Sequence, residues 1–571
     1  LTVEPQASKP RVIEEIDRLL APYGGIGAFD RGELASHRFL QDELAEQKTL
    51  SVVIPTVFFG IAAFLLNVIL GRLVDAQREQ IASLKALGFA NTPIILHYFK
   101  FASLIAVAGS LIGIVLGWWL AAAVIESYHG FFRFPVLEAR FEPWSVAFAT
   151  VVSIVAANAA AASAVLRVAR LTPAEALRAP VPVAARHVPL LGRQAASKIP
   201  LSAIMALRSI IGRPFRTLFT VIGIALALPL VLFGLFWFDA IDYMIDVSFG
   251  RIERGDAFVS FSAPVPATAI YELRAVPGIL AAEGQRIVPV QLRNGHRRYR
   301  TALNGLEYGT ELKVLRNADL KPIAVPLDGL MLSRPLAKTL GLSEGDTVTI
   351  EILDGKRPVR DLKVVKLSED ILGFSATMDL TALNRLLGDG DVVNAAALKV
   401  DPVHADAVWR RIQETPKIEA SSVKALWLNL FDETIAGLIM VSALVLTAFG
   451  LLIAIGVVYN SARTAFHERA WELASLRILG FTRHEVSLIL ISELAVEVLL
   501  AIPLGLLAGR LLIELIVALR VQESFQIPAI IEPTTYAAAA LIVLAAALAS
   551  AFAIRRRIDH LDLVTVLKTR E

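Results

Sequence analysis

The stretch Gln77-Arg-Glu-Gln-Ile-Ala-Ser-Leu-Lys-Ala-Leu-Gly-Phe89 recurs as Arg469-Ala-Trp-Glu-Leu-Ala-Ser-Leu-Arg-Ile-Leu-Gly-Phe481. Aligned on the shared Ala-Ser-Leu, the copies stay in step without a gap as far as Gly113-Ile-Val-Leu-Gly117 and Gly505-Leu-Leu-Ala-Gly509. Each lies between two long apolar runs. Its apolar residues fall at helical spacing: Ile81, Leu84 and Leu87 in one copy, Leu473, Leu476 and Leu479 in the other. That spacing puts them on one helix face. The pattern predicts a short basic amphipathic helix at a membrane face, used twice. Two roles suit it: docking in a partner's groove, or resting among anionic lipid headgroups.

The 571 residues are 55% hydrophobic and their mean hydropathy is +0.60, unlike an ordinary soluble chain. A helix needs about 20 mostly apolar residues to cross a bilayer. Seven stretches qualify, roughly 50–72, 94–125, 143–166, 216–239, 435–459, 485–518 and 534–554. The net charge is only +3, so its placement says more than its total. Cys is absent, which excludes a disulfide framework and any Cys-ligated metal site.

Short loops rich in Lys and Arg stay in the cytoplasm. Arg72, Arg78 and Lys85 follow the first span, and Arg463, Arg469, Arg477 and Arg483 follow the fifth. Segment 167–216 and the C-terminus, with Arg555, Arg556, Arg557, Lys568 and Arg570, are also basic. The opposite loops, 126–142 and 519–533, hold only Arg133, Arg140 and Arg520. All four basic segments are therefore expected inside, and residues 1–49 and the 240–430 insert outside.

Four spans separate the two short helices, so the repeat is parallel, related by an axis along the membrane normal. The second copy reads as span, outer domain, three spans. The first has its three spans and only a tail of outer domain, so the parent protein is expected to carry one more leading span, eight in all. The predicted organisation is 1–49, a C-terminal remnant of a first outer domain; 50–180, a three-span module; 181–215, a cytoplasmic linker; 216–239, a span; 240–430, an α+β extracytoplasmic domain; and 431–571, a second three-span module. The fold class is thus a polytopic α-helical membrane protein with an α+β outer domain.

Within 240–430 the clearest strand is Asp346-Thr-Val-Thr-Ile-Glu-Ile-Leu353, with a second near Arg360–Leu367. Helical periodicity marks Pro335–Leu340, Leu380–Leu387 and His404–Ile412. No catalytic, cofactor-binding or metal-binding constellation is read anywhere in the chain, and nothing points to nucleic acid. No G-x-x-x-x-G-K-[ST] occurs. The closest imitation, Gly341-Leu-Ser-Glu-Gly-Asp-Thr347, lacks the Lys that would reach the phosphates.

Gly113 with Gly117, and Gly505 with Gly509, are G-x-x-x-G pairs that let membrane helices approach closely, and both are expected to be packing faces. Glu493 and Glu497 are one turn apart inside a span, where an ionisable residue is by default a functional candidate. For Glu493 the structural reading is a pair with Arg477 or Arg483. Arg510 and Glu514 read as an ion pair at the outer end of the same span.

The combination [QR]-x-x-[EQ]-[IL]-A-S-L-[KR]-x-L-G-F, a span with G-x-x-x-G, and an exit at Leu171-Thr-Pro-Ala-Glu-Ala-Leu-Arg178 resembles the FtsX/MacB-like permeases of ABC transporters. There are departures. Where the family often carries a glutamate the second module has Glu493 but the first has Phe101. The family's Arg is present as Arg469 and replaced by Gln77, and the second exit, Leu561 to Lys568, lacks Pro and Glu.

The resemblance implies that the short helices are coupling elements resting on a separate ATPase, through Arg78, Ile81, Leu84, Lys85, Leu87 and Gly88, and through Arg469, Leu473, Leu476, Arg477, Leu479 and Gly480. It implies a permease subunit of an ABC-type system in a bacterial inner membrane, with its C-terminus cytoplasmic. Its partners would be a dimeric cytoplasmic ABC ATPase, membrane lipid, and an extracytoplasmic adaptor, lipoprotein or hydrolase. The task implied is transmitting ATPase motion to the outer domains to export or extract a lipid, lipoprotein or other amphiphile. The alternative is a non-transporting scaffold that regulates an extracytoplasmic enzyme such as a cell-wall hydrolase. A secondary transporter built from parallel repeats is disfavoured by the scarcity of deep charges.

Overall fold

Apolar length sets the first part of the architecture. The computed structural model describes residues 8–23, 27–131, 136, 138, 140, 143–170, 210–212, 214–371, 373–431, 437–468, 475–519 and 526–559. Among them, seven helices are long and apolar enough to cross a membrane: Ser36–Gly71, Asn91–Glu126, Pro143–Ala162, Thr217–Ile252, Met440–Asn460, His484–Leu519 and Pro533–Ala553. They coincide with the seven expected stretches. The two exit segments, Leu171–Arg178 and Leu561–Lys568, lie outside the described residues.

The chain runs through α1 (Lys9–Leu20), α2 (Ala35–Ala76), α3 (Arg78–Ala86), α4 (Asn91–Phe131) and α5 (Pro143–Arg170). Then α6 (Pro214–Ala225) and α7 (Leu228–Ile245) lead to a sheet domain. It comprises β1 (Ala257–Pro266), α8 (Ala269–Arg274), β2 (Ile279–Asn294), β3 (Arg297–Leu306), β4 (Leu330–Ser333), α9 (Arg334–Leu340), β5 (Thr347–Ile352), β6 (Val359–Ser368), β7 (Ala376–Asp379), α10 (Leu380–Leu387), β8 (Val392–Val400), α11 (Ala405–Gln413) and β9 (Ile418–Val423). After α12 (Lys424–Phe431) come α13 (Gly437–Glu468), α14 (Arg483–Leu519) and α15 (Pro533–Asp559). Compactness divides the chain into two units: Leu1–Thr49, Ala240–Ala436 and Val517–Ala529 in one, and Leu50–Asp239, Gly437–Ile516 and Ile530–Glu571 in the other.

The stretch expected as one span over 216–239 is broken between Ala225 and Leu228. Pro229 is the cause: it has no N–H for the Ala225 carbonyl, and its ring crowds that turn. The chain answers with a tighter turn, Ala227 N bonding Ile224 O at 3.2 Å. This broken helix lies at the centre of its bundle, with 72% of its most apolar window buried, against none of the window in Asn91–Glu126. Close packing there uses glycine: a Cβ on Gly234 would meet the Ala443 carbonyl at 3.0 Å, and one on Gly450 would meet Val231 N at 2.9 Å. From α7, Asp239 accepts hydrogen bonds from Glu532 N and Thr535 Oγ1, both at 2.8 Å, fixing the start of α15.

The bundle of α2, α4 and α5 is tied by polar side chains. Asn67 Nδ2 donates to Ala160 O at 2.6 Å, and Asn158 Nδ2 to Ser103 Oγ at 2.9 Å. Interhelical bonds of this kind hold helices together where apolar burial gives little preference over lipid.

The sheet domain has nine strands in the order β3-β7-β4-β6-β5-β2-β8-β1-β9, and β2 also pairs with β3. That extra pairing closes six strands on themselves. Alternate residues such as Val290, Leu303, Leu332, Ile350, Val364 and Met378 fill the enclosed core. The remaining pairing, β9-β1-β8-β2 with α8 and α11, is a βαββαβ unit whose core includes Val259, Ala282, Leu398 and Val408. The 16-residue β2 belongs to both. The strands and helices expected from periodicity appear as β5, β6, α9, α10 and α11. Residues before Thr49 pack on the closed strands, where Arg38 Nη1 donates to Tyr299 Oη at 2.9 Å and Arg300 stacks 4.6 Å above Phe29.

Candidate functional site

The two short helices end in the same way. In the first, Leu87 N bonds Ser83 O at 3.0 Å, Gly88 N bonds Lys85 O at 3.0 Å and Phe89 N bonds Leu84 O at 3.1 Å. In the second, Leu479 N bonds Ser475 O at 3.0 Å, Gly480 N bonds Arg477 O at 3.2 Å and Phe481 N bonds Leu476 O at 3.1 Å. Gly88 and Gly480 stand at φ +91° and +95°, the left-handed region that a side chain disfavours. The bond spanning five residues, closed over a left-handed glycine, is a Schellman-type stop. It turns the chain sharply and leaves Leu87 and Leu479 as projecting apolar tips, 77% and 76% exposed. Arg469 and Leu473 lie outside the described residues.

The expected apolar stripe is divided between two tasks. Ile81 is buried with Leu70, Val74, Ile94 and Tyr98, which anchors α3 to its own bundle. Leu84 and Leu87 are exposed, and Leu476 and Arg477 are half-buried. Tyr98 Oη donates to Gln77 Oε1 at 2.7 Å, so Gln77 serves as an internal tether. Sequence reading missed Tyr98. The one signal available was its place a helical turn past Ile94, on the same helix face as that apolar residue. Burial lowers the pKa of Lys85. In the second copy Thr482 and Glu485 form a reciprocal cap: Thr482 N donates to Glu485 Oε2 at 2.8 Å, and Glu485 N to Thr482 Oγ1 at 3.3 Å.

The glycine pairs diverge. A Cβ on Gly505 would lie 2.5 Å from Leu228 Cδ1 and 2.7 Å from Ala225 O, and one on Gly509 would lie 3.2 Å from Pro229 Cα. These glycines therefore pack at the break that Pro229 makes. Among the described residues, nothing lies within 4 Å of such a Cβ at Gly113 or Gly117. With Gly109 they line an open apolar groove of about 670 Å³ beside Phe59, Ala149 and Ser153.

Glu493 and Glu497 are buried, 4% and 6% exposed, and both are engaged with other groups. The expected Glu493–Arg477 pair is replaced by a bond from Arg477 Nη1 to the Phe481 carbonyl at 3.0 Å. The Arg483 side chain lies outside the described residues. Arg510 Nε meets Glu514 Oε1 at 2.8 Å, the i,i+4 pair read from the sequence. No group of three His, Asp or Glu side chains is placed to hold a metal among the described residues.

The family model described as FtsX-like permease C-terminal matches residues 52–173 and again 444–563. The chain carries the FtsX-like permease domain twice. The two FtsX-like domains start at the same offset that carries Ala82 onto Ala474, so the matched repeat is the one visible in the short helices. Among solved structures, the extracellular domain of the noncanonic ABC-type transporter YknZ from Gram-positive bacteria is similar to 30% of this chain over 99% of its own length, at 14% identity and TM-score 0.22. The periplasmic region of MacB from Actinobacillus actinomycetemcomitans is similar to 32% of this chain over 96% of its own, at 9% identity and TM-score 0.23. No curated protein matches the chain.

Proposed function

We propose that this FtsX-like chain is the membrane subunit of an ABC-type system in which a separate cytoplasmic ATPase pushes on α3 and on its counterpart ending at Gly480. The observation that carries the reading is the repeated stop that presents Leu87 and Leu479 to solvent. A projecting leucine on a short helix suits insertion in a partner's groove. Permeases of this family work with a cytoplasmic ABC ATPase, and the chain has no G-x-x-x-x-G-K-[ST] of its own. The basic loops support a topology with both short helices and the C-terminus in the cytoplasm and the sheet domain outside, in a bacterial inner membrane.

On this reading motion entering at α3 passes along α2 and α4. Motion entering at the second short helix passes to α14, and through Gly505 and Gly509 to the broken helix that leads to the sheet domain. The task is to move or extract a lipid, lipoprotein or other amphiphile at the outer face. Reconstitution with the partner ATPase tests this: Leu87→Asp with Leu479→Asp should abolish ATP-driven extraction of lipid from the outer leaflet while the bundle stays folded. Undiminished extraction overturns it.

A further inference from the structure

The βαββαβ unit packs α8 and α11 on one sheet face. The opposite face is roofed by the segment Asp246–Ile252, the loop carrying Lys313, and α12, and between roof and sheet lies a pocket of about 350 Å³. Its floor is Phe258, Gln285, Ile287 and Ala397. Its mouth is flanked by Phe249 and Trp427, with ring centroids 6.3 Å apart. Volume and lining fall within the range of small-ligand sites, which are mostly apolar with a few convergent polar groups.

One floor residue is out of place for a plain structural void. Gln285 is 2% exposed as a whole residue and borders the pocket. Its carboxamide therefore offers both a donor and an acceptor at the pocket floor. Two ammonium groups reach the same space. Lys313 Nζ meets Glu253 Oε1 at 2.8 Å, and Lys424 Nζ donates to the carbonyl oxygens of Phe249 and Glu253. Each ammonium carries three donors, so both retain one for a ligand. Among the lining side chains the two lysines face one carboxylate, Glu253, with Asp370 and Asp256 within electrostatic reach of Lys313 and Lys424 respectively.

We propose that this pocket binds a single-chain anionic amphiphile, with its carboxylate or phosphate between Lys313, Lys424 and Gln285 and its chain against Phe258, Ile287 and Trp427. The site deepens the amphiphile reading above and rests on it for the substrate class. Its placement gives it leverage. Phe249 and Glu253 end or directly follow the Thr217–Ile252 span, and Lys424 and Trp427 precede Met440–Asn460, so a ligand would bridge the two segments that join this domain to its spans.

The test uses the full chain in phosphatidylcholine nanodiscs, a diazirine-bearing laurate as photoprobe, and peptide mapping of the label. Label should concentrate on residues 249–258 and 422–427. Unlabelled laurate and dodecyl phosphate should both compete, the tighter of them identifying the headgroup, while dodecyltrimethylammonium should not. Gln285→Leu and Lys313→Met should each reduce labelling about tenfold, the loss expected of one charge-assisted or buried hydrogen bond. Trp427→Ser, at a side chain half in solvent, keeps the test informative if a floor variant misfolds, and it should also reduce labelling. Label confined to the spans, equal competition by the cationic amphiphile, or undiminished labelling in folded variants would overturn the site. Pocket labelling that persists while the Leu87 and Leu479 substitutions leave extraction intact would sink the coupling reading alone. Extraction that depends on those leucines with no label in the pocket would sink the pocket alone.

Discussion

Glu493 and Phe101 occupy the same position of the repeat, and the structure buries one and exposes the other, 4% against 40%. The contrast extends along the helix. Glu497 is 6% exposed and its counterpart Ile105 43%, and Gly505 and Gly509 are packed where Gly113 and Gly117 are bare. One face of α14 is thus covered by protein, while the matching face of α4 borders an open apolar groove. An acid on a lipid-facing surface costs free energy that an aromatic residue does not. The residue change follows the change in environment.

Phe101→Glu should therefore lower membrane insertion of the first FtsX-like domain. The penalty should reach at most about 2.5–3.5 kcal/mol, the value for a charge at the centre of a span, and less near the interface. Glycosylation mapping of inserted and non-inserted forms would measure it. Insertion equal to the parent chain would show that this face is not lipid-exposed.

Gly505→Ala should destabilise the second bundle by about 1–3 kcal/mol, because the new methyl meets a backbone oxygen that cannot swing away. Gly113→Ala meets nothing and should be neutral or stabilising by up to about 1 kcal/mol. Thermal unfolding of both variants in one detergent gives the comparison, and equal shifts would contradict it.

Ile81 and Leu87 share a short helix and its stop but not a role. Ile81→Ala should cost about 2–5 kcal/mol, as for a buried aliphatic side chain in a packed cluster. Leu87→Ala removes an exposed tip and should leave unfolding within about 0.5 kcal/mol of the parent. Denaturant titration of each separates anchor from tip.

Asp370 supplies a pH prediction in the sheet domain. Burial raises its carboxyl above the ordinary value, against the opposing pull of the Ser375 hydroxyl and Lys313. A raised carboxyl holds its proton more tightly folded than unfolded. Its contribution is therefore present below the ordinary carboxylate value and is lost as pH rises through the raised one. Asp370→Asn should unfold at a higher temperature than the parent near pH 7 and show a flatter profile between about pH 4 and 7. Parallel profiles would show that burial does not hold the proton there.

The spans were legible because apolar length alone specifies them, and the short helices because the repeat is identical at Ala-Ser-Leu and Leu-Gly-Phe. The stop at Gly88 and Gly480 was equally local, a glycine after a periodic run. Which glycine pair would be packed was not legible. Gly113 and Gly505 both sit in apolar runs of similar composition, and what separates them is the break at Pro229, far away in the chain. Gln77 likewise read as a lost arginine, whereas its role comes from Tyr98 across a turn. In the sheet domain β5 showed clean alternation. The long β2 did not, since its two halves face different cores and Gln285 belongs to neither.

The most direct test exploits the absence of cysteine from the chain. Leu87→Cys and Leu479→Cys each introduce a single thiol at an exposed tip, and Trp119→Cys places one on an exposed apolar surface of a span as a control. Thiol-directed crosslinking in native membranes, followed by ATP-hydrolysis assay and sequencing of the trapped partner, should join both tips to an ATPase bearing a P-loop and leave the control unlinked. Failure of both tips to trap an ATPase, with the thiols shown to be reactive, would contradict the claim that force enters through these two helices.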